Sequence, residues 1–104
     1  MLLSNFIICL SHFQAKPQHR NELIHELFKL IEPTRAEPGC ILYELLLDND
    51  DPNFLIMSEK FVNQEALDLH ENQPYVVRFV EGPMAHWCEK VTWNVVREIK
   101  MAHS

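Results

Sequence analysis

Glu37-Pro38-Gly39-Cys40-Ile41-Leu42-Tyr43, followed by Asp48, Asp51-Pro52, Glu59-Lys60-Phe61 and Ala66-Leu67-Asp68-Leu69-His70, is the stretch from which the rest of the chain can be placed. Pro38-Gly39 ends a helix. Cys40 to Leu47 is apolar at nearly every position apart from Glu44, and Asn53 to Phe61 is similar. Asp48-Asn49-Asp50-Asp51-Pro52 between them reads as a turn, so the two strands form a hairpin. A strand apolar on both faces needs cover on both, from the chain's own helices and from a second subunit, which makes a homodimer the expected state.

Upstream, Phe6 to Phe13 is rich in apolar and β-branched types and reads as a buried strand. Pro17 suits the first turn of the helix that follows, where its missing N–H costs nothing. Leu23, Ile24, Leu27, Phe28, Leu30 and Ile31 fall on one stripe at helical spacing, and Pro33 predicts a kink or a boundary just before it. Downstream, Asn63 is placed to cap a helix running to about Glu71, with Ala66, Leu67 and either Leu69 or His70 turned inward. Pro74 opens a further helix carrying Val76, Val77, Phe79 and Val80, closed at Gly82-Pro83. The last strand spans about Lys90 to Ile99, with Val91, Trp93 and Val95 on one face. Strand, helix, strand, strand, helix, strand is the split βαβ, ferredoxin-like order of an α+β fold.

At 104 residues the chain is read as one domain, and 47% hydrophobic residues with only 2 Gly make it globular. A formal net charge of -6 opposes a phosphate backbone, so nucleic acid and an anionic membrane surface are poor partners. The apolar start Met1 to Leu10 lacks a basic leading region and is too short to span a bilayer. Three cysteines, Cys9, Cys40 and Cys88, cannot all pair and show no C-x-x-C spacing, which points to reduced thiols in a cytoplasmic protein. The six histidines, His12, His19, His25, His70, His86 and His103, lack ligand spacing, so no metal is expected. No Gly-rich loop is present to cradle a phosphate, which argues against a nucleotide or flavin.

The motifs quoted first resemble the antibiotic biosynthesis monooxygenase family, in a likeness running from about Phe6 to about Val96. That resemblance implies a dimeric α+β barrel whose sheets face one another. It also implies oxygenation of a small electron-rich aromatic, a quinol or anthrone, by O2 without metal or prosthetic group. The haem-degrading relatives on this scaffold carry a ligating histidine on the third helix, and Tyr75 to Glu81 contains none. Two other readings stay open: an isomerase or tautomerase of a small carbonyl compound, and a non-catalytic ligand-binding or stress-associated protein.

His70 ends the Ala66-Leu67-x-x-His motif, where many family members face a histidine into the pocket; it is the candidate base, or else a structural histidine bonded to a neighbouring strand. Glu59 is the candidate partner that fixes the His70 tautomer, or a carboxylate kept for a structural pair. Tyr43 and Tyr75 are candidate substrate ligands or packing residues. The family often has a second histidine where Tyr75 stands. Asn63 is a cap or a substrate ligand, Arg78 a counter-charge to an enolate or a solvated side chain, and Trp87, like Trp93, a residue of the pocket mouth or of the dimer seam.

Overall fold

The computed structural model describes residues 1–101, so His103 lies outside the described residues. In chain order the strands are β1 (Leu2–Leu3), β2 (Ile7–Ala15), β3 (Cys40–Leu47), β4 (Phe54–Phe61), β5 (Cys88–Val96) and β6 (Ile99–Lys100). The helices are α1 (Arg20–Arg35), α2 (Gln64–Glu71), α3 (Pro74–Phe79) and a short α4 (Ala85–Trp87). The main sheet runs β3-β4-β2-β5, antiparallel throughout, which is the ferredoxin-like order. β1 pairs with β6 as a separate two-stranded ribbon.

Alternation along the central strands sets the two faces. Leu55, Met57, Glu59 and Phe61 of β4 are buried with Ile7, Cys9, Phe13 and Ala15 of β2, while the residues between them are only half buried. The helices cover the first face: Leu23, Leu27, Leu30 and Thr34 from α1, Leu67 and His70 from α2, Val76 and Phe79 from α3. The opposite face, bearing Ile8, Leu10, Leu42, Leu46 and Ile56, carries no helix among the described residues.

Several boundaries differ from the sequence reading. Phe28 belongs beside the buried stripe rather than on it and is 59% exposed, because the axis of that stripe passes through Leu23, Leu27, Leu30 and Thr34. α1 continues through Pro33 to Arg35, since a missing N–H in the last turn removes a single i→i−4 bond. Gly82-Pro83 does not close the third helix either. A widened π turn over Val80–Met84 absorbs the proline and carries the chain into α4. The last strand begins at Cys88 and breaks after Val96, so Ile99 falls in the outlying ribbon. Of the two inward candidates on α2, His70 is buried and Leu69 is 61% exposed.

Gly39 has a negative or extended φ, so left-handed backbone is not what requires it. A Cβ there would stand 2.4 Å from the Ala66 Cβ, because α2 crosses the start of β3 at this point. Gly39→Ala is therefore expected to cost about 1 to 3 kcal/mol by overpacking. Urea denaturation checks it, and Ala66→Gly in the same chain should restore part of the loss; an unchanged midpoint in Gly39→Ala would remove the close-approach argument.

Candidate active site

A cavity of about 290 Å³ lies between the sheet and the helices. Its sheet wall carries Cys9, Ser11 and Phe13 from β2, Tyr43 from β3, Met57 and Glu59 from β4 and Trp93 from β5, and its helical wall includes Leu27, Leu30, His70, Val76 and Phe79. Strand alternation explains the grouping, because Cys9 pairs with Glu59 and Val95, and Ser11 with Met57 and Trp93.

His70 is held from both sides by acids. Its Nδ1 lies 2.9 Å from Glu37 Oε2, and its Nε2 lies 3.5 Å from Glu59 Oε1. The first is a made hydrogen bond, whereas the second is an ion-pair distance too long for one. Tyr75 donates its hydroxyl to the same Glu37 oxygen, at close range. The Phe61 ring centroid is 5.0 Å from that of His70, and the Tyr43 ring stands edge-on at 5.4 Å. With Glu37 taking Nδ1–H, Nε2 is the nitrogen turned toward Glu59 and the cavity.

Glu59 is buried, and desolvation is the main cause that lifts its carboxyl to about 8. Ser11, whose Oγ stands 3.4 Å from Glu59 Oε2, opposes the rise, while Glu71 and Glu37 add to it. Near neutral pH Glu59 therefore mostly carries a proton. Burial also pushes the Tyr43 hydroxyl upward, with Glu59 adding, and burial with the bond to Glu37 does the same for Tyr75, so both remain donors. Thr34 Oγ1 is fully buried and, among the described residues, makes no hydrogen bond.

The residues singled out in the sequence fall into two groups. His70, Glu59 and Tyr43 meet at the cavity, and Tyr75 reaches His70 through Glu37. Asn63 caps α2, its Oδ1 accepting from Ala66 N at 2.9 Å. Arg78 lines a separate outer groove with Tyr75, Glu26 and Lys29. Trp87 stacks on His19 at 5.7 Å, away from the cavity, and Glu44 is exposed on the uncovered sheet face. Glu37 was missed as a site residue, although it heads the motif that fixes the fold; a separation of 33 residues conceals its bond to His70. Arg35 Nε and Nη2 hold the Tyr43 carbonyl at 3.1 and 2.8 Å, which ties the end of α1 to β3. Among the described residues, no group of three or more His, Cys, Asp or Glu is placed to hold a metal ion, and no helix is long and apolar enough to cross a membrane.

The site is thus a histidine set between two acids at a small, largely apolar cavity on a ferredoxin-like sheet. The chain belongs to the antibiotic biosynthesis monooxygenase family, whose pattern matches residues 6–82. An uncharacterised protein of Synechocystis sp. is 37% identical over 75 residues, covering 72% of this chain and 51% of that protein, so the chain spans about half the length of that relative. A Mycobacterium tuberculosis protein provisionally named a monooxygenase is 32% identical over 73 residues, covering 70% of this chain and 71% of its own length. A crystal structure from Shewanella oneidensis superposes with a TM-score of 0.90 at 30% identity, covering 93% of this chain and 95% of that one.

Proposed function

We propose that the protein is a monooxygenase that adds one oxygen atom of O2 to a small electron-rich aromatic such as a quinol, with the substrate itself supplying the electrons. The observation that carries this reading is the Glu37–His70–Glu59 row, whose His70 and Glu59 stand on a largely apolar cavity wall with Glu37 behind them. As the quinol hydroxyl gives its proton to Glu59 Oε2, Glu59 passes its own from Oε1 to His70 Nε2, and Glu37 balances the imidazolium. The 3.5 Å contact between Glu59 and His70 shortens once substrate is seated, as catalytic hydrogen bonds do on complex formation. The resulting phenolate transfers an electron to O2, and the radical pair recombines to a ring peroxide. Loss of water then leaves a hydroxyquinone, so one oxygen atom enters the ring and the other leaves as water. Apolar walls hold the reactants together and keep bulk water out.

Oxygen uptake with a panel of quinols tests the reading. One O2 consumed per quinol, with a hydroxyquinone product, is the expected result; binding without uptake would sink it, and an isomerised product would replace it with proton transfer alone. The acid-flanked histidine supports an enzyme over a bare ligand carrier.

A homodimer, formed through the helix-free sheet face of Ile8, Leu10, Leu42, Leu46 and Ile56, belongs to the same proposal. Sedimentation at micromolar concentration should give twice the 12.3 kDa chain mass, and a clean monomer would remove the barrel architecture. The cytoplasm is the proposed compartment, consistent with three free thiols.

A further inference from the structure

None of the chain's nine lysines and arginines lines the cavity, whereas Glu59 and Glu71 both do. The nearby cations are committed elsewhere. Arg35 is fixed on the Tyr43 carbonyl, Lys29 pairs with Glu26 in the outer groove that Arg78 also lines, and Lys60 lies over the Phe6 ring at 5.0 Å. Among the described residues His70 is the one basic group on the wall, and Glu37 already matches it. An anionic ligand would therefore give up its hydration without gaining a counter-charge, and would do so beside Glu71 at the mouth.

Trp93 is the second observation. It lines the same cavity yet is 62% exposed, unlike the buried Phe13, Tyr43 and Phe79. It sits across the β2–β5 pairing from Ser11, whose hydroxyl contacts Glu59. An indole left open at the edge of a small apolar cavity, beside its polar corner, offers a flat face to a ring whose hydroxyl is aimed at Glu59.

We infer that this cavity selects uncharged, planar, hydroxyl-bearing aromatics, with Trp93 as the ring platform at its mouth and the cation-free lining, with Glu71 at its edge, turning anionic relatives away. The inference deepens the proposed reaction and rests on it for the site.

A matched pair of probes tests it: 1,4-dihydroxynaphthalene and the same diol bearing a 2-carboxylate, titrated calorimetrically without oxygen at neutral pH. The neutral diol is expected to bind about tenfold more tightly or better, the scale of one like-charge contact in a partly solvated site. Trp93→Ala should weaken the neutral diol roughly three- to tenfold, the loss of one stacking contact, and leave the preference between the probes in place. Glu71→Lys should narrow that preference. Both positions are exposed, so circular dichroism should remain that of the parent protein. Equal or tighter binding of the carboxylate overturns the selectivity, as does failure of both probes to bind, and an unchanged affinity in Trp93→Ala removes the platform. Oxygen uptake with the same two compounds separates this from the reaction. Selective binding without uptake leaves the selectivity standing and sinks the oxygenation, whereas uptake that favours the carboxylate does the reverse.

Discussion

His70→Ala is expected to lower turnover of a quinol by about a hundredfold or more, the scale of a lost general base, with the chain still folded. Among the described residues the imidazole is the only group that reaches both acids, the half-buried Glu37 at 2.9 Å and the buried Glu59 at 3.5 Å, so its removal leaves the substrate proton with no route beyond Glu59. The fold should survive because neither acid is left as a bare buried charge: Tyr75 still donates to Glu37, and Glu59 mostly holds its own proton near neutrality. Lost packing against Phe61 and Tyr43 should cost about 2 to 3 kcal/mol, in the range of a buried truncation. Steady-state kcat and kcat/KM at fixed O2 measure the effect, and added imidazole should restore part of it. His12→Ala serves as the control, since His12 faces away from the cavity and its ring neighbours Phe54. Full activity in His70→Ala would discard the proton-transfer role, and Tyr43, Tyr75 or the shape of the cavity would then have to account for the reaction.

The hairpin was legible because Asp48 to Pro52 can only turn, and Asn63 because a cap needs just its own neighbouring N–H groups. Helix ends were harder. Pro33 and Gly82-Pro83 are breakers in isolation, but one falls in the last turn of α1 and the other is absorbed by a π turn, so the helical course continues through both. Within the site, spacing along α2 could bring His70 to the inner face, yet it could not choose between His70 and Leu69. That choice belongs to the tertiary fold, because only His70 finds two acids. The bond between Glu37 and His70 joins the end of one helix to the end of another, and no local pattern encodes it. The buried, partnerless Thr34 hydroxyl is invisible for the same reason, a threonine on a leucine stripe giving no sign of what lies opposite.

Glu59→Gln is expected to abolish most of the activity and yet to stabilise the chain progressively as pH rises. The sign follows from the direction of the shift. The carboxyl sits at about 8 in the folded protein, against an ordinary 4.5 that stands for the unfolded chain. Between those values the unfolded state has released its proton and the folded state has not, so stability falls as pH rises through this window. The contribution is fully present below about 4.5, is lost by about 8 and is level above that. Glutamine keeps the shape and never ionises, so its advantage over the parent should be smallest at pH 4.5 and below and grow to a plateau above pH 8, with roughly 5 kcal/mol as a ceiling for a carboxyl lifted from 4.5 to about 8. Urea midpoints of both proteins at pH 5, 7 and 9 give the comparison, and titrations common to both cancel in the difference. Any altered hydrogen bond to Ser11 or His70 adds an offset but leaves the rise across the window. A difference that stays flat from pH 5 to pH 9 would mean that Glu59 is not held protonated by burial, and the relay from substrate through Glu59 to His70 would fall with it. The activity loss should be on the order of a hundredfold because an amide cannot accept one proton while releasing another. A chain that grows more stable as it loses turnover would locate the cost of the reaction in one buried carboxyl.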